Sequence, residues 1–205
     1  MKKSLKVMFA VAMLFSATLS ANAQFSKKEN NRVPDRFHMG IRAGITSNTY
    51  TGDGDYKSFL FPYGGFAIDF QVAPVPIFVG IGLNYANYGC ELEDSYSYSG
   101  YRYSYSKKID DAHSIQMPIT ASYHINVAPN LFVNPFIGGF MAYNFNDDFN
   151  KQFNYGLRFG CGMNYRRLTF DLGYDLGLAN LADNGYKSKS GTFFVTVGFN
   201  WAGSR

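Results

Sequence analysis

Residues 153–165 read FNYGLRFGCGMNY, and this stretch decides the fold. Phe153, Tyr155, Leu157, Phe159, Cys161, Met163 and Tyr165 alternate without a break with Asn154, Gly156, Arg158, Gly160, Gly162 and Asn164. A period of two sends successive side chains to opposite faces of an extended strand. One face is apolar and aromatic; the other is glycine, amide and one charge. A glycine-rich face is a poor partner for the core of a water-soluble sheet. A membrane barrel gives the two faces different surroundings, lipid outside and a tight polar lumen inside.

The same alternation recurs along the chain. Predicted strands lie near residues 36–46, with Phe37, Met39, Ile41, Ala43 and Ile45 on one face, and near 62–72, with Phe66, Ile68, Phe70 and Val72 outward. Others lie near 77–90 and 113–125, then 131–143, which is apolar on both faces, so its phase is left unset. After 153–165 come Leu168 to Leu176 and Phe193 to Trp201. Each run is close to the roughly 9–11 residues that a tilted strand needs to cross lipid. The connections alternate in length: 47–61 is long, 73–76 short, 91–112 long, 126–130 short, 144–151 long, 166–167 short and 179–191 long. Outer-membrane barrels pair long extracellular loops with short periplasmic turns. The expectation is an all-β, eight-stranded antiparallel up-and-down transmembrane barrel in the bacterial outer membrane, both termini periplasmic. Tyr63, Tyr85, Tyr123, Tyr165 and Trp201 read as its aromatic girdles.

The N-terminus carries Lys2, Lys3 and Lys6, an apolar run from Val7 to Phe15, then Ala21-Asn22-Ala23. That pattern predicts a cleaved secretory signal over 1–23. A flexible polar periplasmic lead-in over 24–35 follows, and the barrel takes 36–205. Removing the signal takes three lysines from 19 Lys+Arg, leaving 16 against 15 Asp+Glu. The mature chain is therefore almost neutral, which argues against nucleic acid as a partner. Cys90 and Cys161 are too few for a disulfide framework and are expected to be free.

The inward faces gather Arg42, Asp69, Arg158, Asp171 and Asp175, with His38, Gln116 and His124 nearer the ends. A two-residue turn at Arg166-Arg167 would set Tyr165 opposite Leu168 and Arg158 opposite Asp175. Charges in a narrow lumen are costly unless paired. Two readings stand: a structural polar network that plugs the barrel, or a gate on a narrow path. An eight-stranded barrel is wide enough only for its own side chains or one small ligand, which argues against a general diffusion pore.

The loop sequence SYSYSGYRYSYS, residues 95–106, alternates serine with Tyr96, Tyr98, Tyr101, Tyr103 and Tyr105, with Arg102 among them. Tyrosine offers rigid amphipathic contact area. The stretch suits a binding surface for an extracellular protein or glycan, or a merely water-compatible hairpin. The flanking strands both use odd numbers outward, so a β-bulge is expected in this hairpin. Catalysis is not expected: Asp110, Asp111, His113 and Ser114 cluster, but adjacent residues of a strand point opposite ways. Residues 51–55 (TGDGD) and Asp147-Asp148 lack the ligand count of a dedicated calcium site. No metal or cofactor is expected.

Several motifs resemble the PorT-like family of outer-membrane barrels. They are Met39 to Gly44 (MGIRAG), Ser114 to Ile119 (SIQMPI), Asn134 to Gly139 (NPFIGG), Tyr155 to Gly162 (YGLRFGCG) and Asp171 to Leu178 (DLGYDLGL). Gln116 stands where that family commonly has an acid. The resemblance implies the barrel fold and outer-membrane location, and only by analogy an accessory role in protein secretion. The leading expectation is a non-enzymatic monomeric barrel, in contact with outer-membrane lipid and lipopolysaccharide, with a plugged lumen and a structural or surface-binding role. The alternative is a soluble periplasmic lipocalin-like carrier of a small apolar ligand, which needs its apolar residues inward.

Overall fold

The computed structural model describes residues 36–52, 55–57, 60–72, 75–98, 101–109, 112–145, 153–180 and 188–202. The signal and lead-in expected over 1–35, Asp53 and Gly54 of the 51–55 loop, and Asp147-Asp148 lie outside the described residues. Twelve strands occur among those residues: β1 (Phe37–Gly52), β2 (Asp55–Lys57), β3 (Leu60–Gln71), β4 (Ile77–Asn87), β5 (Cys90–Tyr98), β6 (Tyr101–Ile109), β7 (His113–Tyr123), β8 (Ile125–Ala128), β9 (Leu131–Asn144), β10 (Phe153–Tyr165), β11 (Leu168–Gly177) and β12 (Ser188–Ala202).

Eight of them form one closed ring. Its order is β1-β3-β4-β7-β9-β10-β11-β12, with β12 returning to β1 in antiparallel register from Gly40↔Asn200 to Gly52↔Ser188. Closure removes the unpaired edges that an open sheet would expose. β8 is a short strand folded back on the start of β9. β1 and β12 both run past the lengths read from the sequence, to Gly52 and from Ser188.

Apolar side chains point out of the ring. Ile137 is 64% exposed, and Phe66, Leu83, Phe159, Leu172 and Val197 are exposed with it. The buried set is largely polar: Asn48, Asn84, Gln116, Asn154, Arg158, Asp175, Thr192, Thr196 and Asn200. This inside-out arrangement overturns the lipocalin-like alternative, because an apolar carrier needs the opposite partition. The phase of β9 is settled by burial. Asn134, Phe140, Ala142 and Asn144 are buried while Ile137, Met141 and Tyr143 are exposed, so its even-numbered residues face inward. Tyr85, Tyr123, Tyr165 and Trp201 lie on the exposed face. Tyr63 does not: it is 5% exposed and faces the lumen, which corrects its reading as a girdle residue. Its odd number puts it on the same face of β3 as Gly65, Ala67 and Asp69, and the alternation holds through it.

The inner glycines make space for large neighbours. A Cβ on Gly160 would meet the Phe136 ring at 2.5 Å, one on Gly173 the Phe194 ring at 2.6 Å, and one on Gly156 the Phe140 ring at 2.8 Å. Each of these three rings lies across a glycine of the next strand, which is how a narrow lumen accommodates large side chains.

The β10–β11 turn has two residues, with Tyr165↔Leu168 and Arg158↔Asp175 in register. Arg166 takes a φ of 54° there, a conformation that a side chain with a Cβ resists. Replacing Arg166 by glycine is expected to stabilise the barrel by up to about 1 kcal/mol. Urea unfolding in detergent checks this. A lowered midpoint would mean that the Arg166 guanidinium over the Tyr165 ring, 5.6 Å from its centroid, outweighs the backbone strain.

Candidate functional site

Two regions carry chemistry: the lumen and the sheet at the loop end of the barrel. The lumen is layered. Arg158 on β10 and Asp175 on β11 face each other because the tight turn fixes their register. Arg158 Nε donates to Asp175 Oδ1 at 2.6 Å and Nη2 to Oδ2 at 2.7 Å, a two-point fork that fits a carboxylate. Nη2 also donates to Gln116 Oε1 at 2.9 Å, and Nη1 to the Tyr63 hydroxyl at 3.2 Å. Gln116 Nε2 in turn donates to Asp175 Oδ2 at 2.8 Å and to the Tyr88 hydroxyl at 2.7 Å. The guanidinium lies over the Phe194 ring, 4.3 Å from its centroid. Asp175 and Gln116 are each 1% exposed. Five strands, β3, β7, β10, β11 and β12, thus meet at one height and fill the bore.

Gln116 is the residue that sequence reasoning misplaced, near an end rather than at the centre of this layer. An amide serves here because it accepts from Arg158 while donating to Asp175, which a carboxylate cannot do unless protonated. Its inward parity was legible; the height at which it meets Arg158 was not.

Toward the short-turn end, Asp171 lies four residues along β11 from Asp175 on the same face. Arg42 Nε donates to Asp171 Oδ2 at 3.3 Å, its Nη1 donates to Asn200 Oδ1 at 2.9 Å, and its Nη2 lies 3.9 Å from Asp69 Oδ2. The inner residues therefore divide into a dry pair, Arg158 with Asp175, and a wetter triad of Arg42, Asp69 and Asp171. A cavity of about 110 Å³ lies beside the triad, lined also by Asn134, Asn164, Thr120 and Thr196. The short-turn end is floored by His38, Phe78 and His124, with the Phe78 and His124 rings stacked at 3.9 Å. Toward the loop end the lumen is lined by amides and hydroxyls: Thr192 Oγ1 donates to Asn48 Oδ1, and Asn154 Nδ2 to Ser190 Oγ.

Beyond the barrel, β2, β5 and β6 form a separate three-stranded sheet. Tyr98 pairs with Tyr101, Tyr96 with Tyr103 and Asp94 with Tyr105. Directly paired residues share a face, so the register puts Tyr96, Tyr98, Tyr101, Tyr103 and Tyr105 together. Arg102 pairs with Ser97 and falls on the opposite face. The β5–β6 register runs without a break from Cys90↔Ile109 to Tyr98↔Tyr101, so no bulge occurs along it. The odd residue lies lower: two residues separate Asn87 from Cys90, but three separate Ile109 from His113. The tip, Ser99-Gly100, lies outside the described residues.

His113 and Ser114 stand on opposite faces. His113 Nδ1 lies 2.5 Å from the Tyr85 hydroxyl on the exposed side, while Ser114 Oγ donates to the Ala86 carbonyl inside. They share no proton path. Asp110 and Asp111 lie outside the described residues. Cys161 is a free thiol, half-buried on the outward face. Among the described residues, no group of three or more His, Cys, Asp or Glu is placed to hold a metal.

Residues 22–183 match the family described as outer membrane protein beta-barrel domain. Among solved structures, the N-terminal β-barrel domain of Pseudomonas aeruginosa OprF is 11% identical, covering 82% of this chain and 99% of its own, with a TM-score of 0.43. Escherichia coli outer membrane protein W is 13% identical, covering 83% and 100%, also at 0.43. Pseudomonas aeruginosa OprG is 12% identical, covering 82% and 97%, at 0.43. No curated protein matches the chain. With a closed eight-stranded ring, an apolar exterior and a family match over most of its length, the chain belongs to the outer membrane protein beta-barrel domain family and is a bacterial outer-membrane barrel.

Proposed function

We propose that this protein is a non-enzymatic, non-conducting barrel that displays the β2–β5–β6 sheet outside the cell as a binding surface for an extracellular protein or glycan. The observation that carries the reading is the register of β5 against β6, which groups five tyrosines on one face of a sheet beyond the barrel. Tyrosine combines a large rigid ring with a hydroxyl and loses little rotamer entropy on contact, which suits recognition of partners that are neither wholly apolar nor charged. The filled Arg158 layer argues against transport as the main role. In this reading residues 1–23 are a cleaved signal, 24–35 a periplasmic lead-in and 36–205 the barrel, monomeric and with both termini periplasmic. Within the family, the motifs at Met39 to Gly44, Ser114 to Ile119 and Tyr155 to Gly162 resemble those of the PorT-like group. An accessory role in secretion rests on that resemblance alone.

The test uses outer-membrane vesicles bearing the wild type or the paired variant Tyr98→Ser/Tyr101→Ser, applied to panels of polysaccharides and extracellular glycoproteins. Loss of two central aromatic contacts is expected to weaken retention at least about tenfold on the ligand that the wild type captures. Equal retention of both forms on every surface would sink the binding role and leave a solvated hairpin.

A further inference from the structure

We propose that the lumen cavity is a binding site for a single alkali-metal cation, sodium or potassium, held partly hydrated by oxygen atoms of Asp171, Asn134, Asn164 and Asp69. The charge count is the first reason. Arg158 is matched by Asp175, but Arg42 stands against both Asp69 and Asp171, which leaves one carboxylate charge uncompensated beside the cavity. A net charge enclosed by protein and lipid is costly, and a mobile counter-ion is the simplest neutraliser.

The second reason is independent of charge. Asn134 is 6% exposed, and its Oδ1 has no hydrogen-bond partner although the residue lines the cavity. Asn164 Oδ1, one residue row closer to the turn, is likewise buried without a partner and lines the same space. The carboxylates add oxygens of their own. The donors of Arg42 go to Oδ2 of Asp171 and to Asn200, while Oδ1 of Asp171 accepts none among the described residues. That Oδ1 lies in the space that a Cβ on Gly162 would occupy, at 2.5 Å, and Asp69 Oδ1 fills the equivalent space over Gly80. Asn134, Gly162 and Asp171 are successive partners across β9, β10 and β11. Acceptor oxygens thus line one cavity, and those of Asn134 and Asn164 accept from no donor there although Arg42, Arg158, Thr120 and Thr196 line it too, which leaves them as ligands for a hard cation. About 110 Å³ holds an ion and several waters at roughly 10–15 Å³ each. The single surplus charge selects a monovalent ion over a divalent one.

Tyr63 on β3, Arg158 on β10 and His124 at the β7–β8 break also line the cavity, and His38 on β1 stacks on His124. The experiment must separate an ion from a proton on these groups. Folded protein in a zwitterionic detergent is heated in sodium, potassium or choline chloride at equal ionic strength, choline being too large for the cavity. The midpoint is expected to stand about 2–4 °C higher in sodium or potassium than in choline. Asp171→Asn, which leaves Arg42 balanced by Asp69 alone, is expected to melt at the same temperature in all three salts. Because that variant has a structural role to lose, crystals of the wild type soaked in rubidium chloride give a second readout. An anomalous peak between Asp171 and Asn134 is the expected result. No peak, together with one midpoint in all three salts, would overturn the proposal in favour of water, a proton or a charged His124.

Discussion

Replacing Arg158 by alanine is expected to destabilise the barrel by about 3–5 kcal/mol. The loss comes less from the attraction that disappears than from what stays behind. Asp175 is 1% exposed, and without the guanidinium its carboxylate retains, among the described residues, only the Gln116 amide as a donor. Tyr63 and Gln116 lose their shared donor at the same time, and the face of Phe194 loses its cation. Arg158→Lys keeps the charge but not the fork, so a smaller loss is expected. Arg158→Met combined with Asp175→Leu should cost clearly less than the two single changes added together, because the pair is then removed with both of its desolvation costs. Urea unfolding in detergent, followed by the fraction of protein that migrates as folded without boiling, reports all three. A change below about 1 kcal/mol for Arg158→Ala would show that water reaches Asp175 and that the layer is not a dry plug.

Gly44→Val is the second substitution with a large expected effect, about 4 kcal/mol or more, and it acts at the seam where the first strand meets the last. A Cβ on Gly44 would overlap the Val195 carbonyl oxygen and sit 2.7 Å from Thr196 Cα, both backbone atoms of β12 that cannot move without breaking the β1–β12 ladder. No folded, heat-modifiable band is expected from this variant. Gly139 supplies the control. A Cβ there would meet only the Gly156 carbonyl oxygen, at 3.3 Å, because Gly139 faces outward. Gly139→Ala should therefore fold to wild-type yield. If Gly44→Val folded as well as Gly139→Ala, the seam would have to be looser than this register allows.

These two cases mark what a linear reading reaches. Alternation placed Arg158 and Asp175 inside, and the length of the turn at Arg166-Arg167 placed them opposite each other. Both facts are local: a strand's faces follow from covalent geometry, and a hairpin's register from its loop. The inward placement of Phe136 and Phe140 on β9 is not local. Both faces of that strand are apolar, and the choice falls to the even-numbered one because Gly160 and Gly156 on β10 leave holes that those rings fill. The tyrosine face belongs to the same class. Alternation in residues 95–106 was visible, but the single offset between β4–β7 and β5–β6 is what brings the five tyrosines to matching register positions.

By itself the sequence determined the eight barrel strands, the inner and outer faces of all of them but β9, the rhythm of loops and turns, and hence a barrel with lipid outside. The reason is that each strand meets two solvents, so its side chains alternate strictly enough to be read one residue at a time. The tertiary structure alone decided the register in which β1 meets β12, that Gln116 sits in the Arg158 layer, and that Asp69 and Asp171 share Arg42 beside a cavity. Those relations depend on the height at which distant strands pass one another around the ring. That height is fixed by packing and shear across the whole barrel, and no single stretch of chain encodes it.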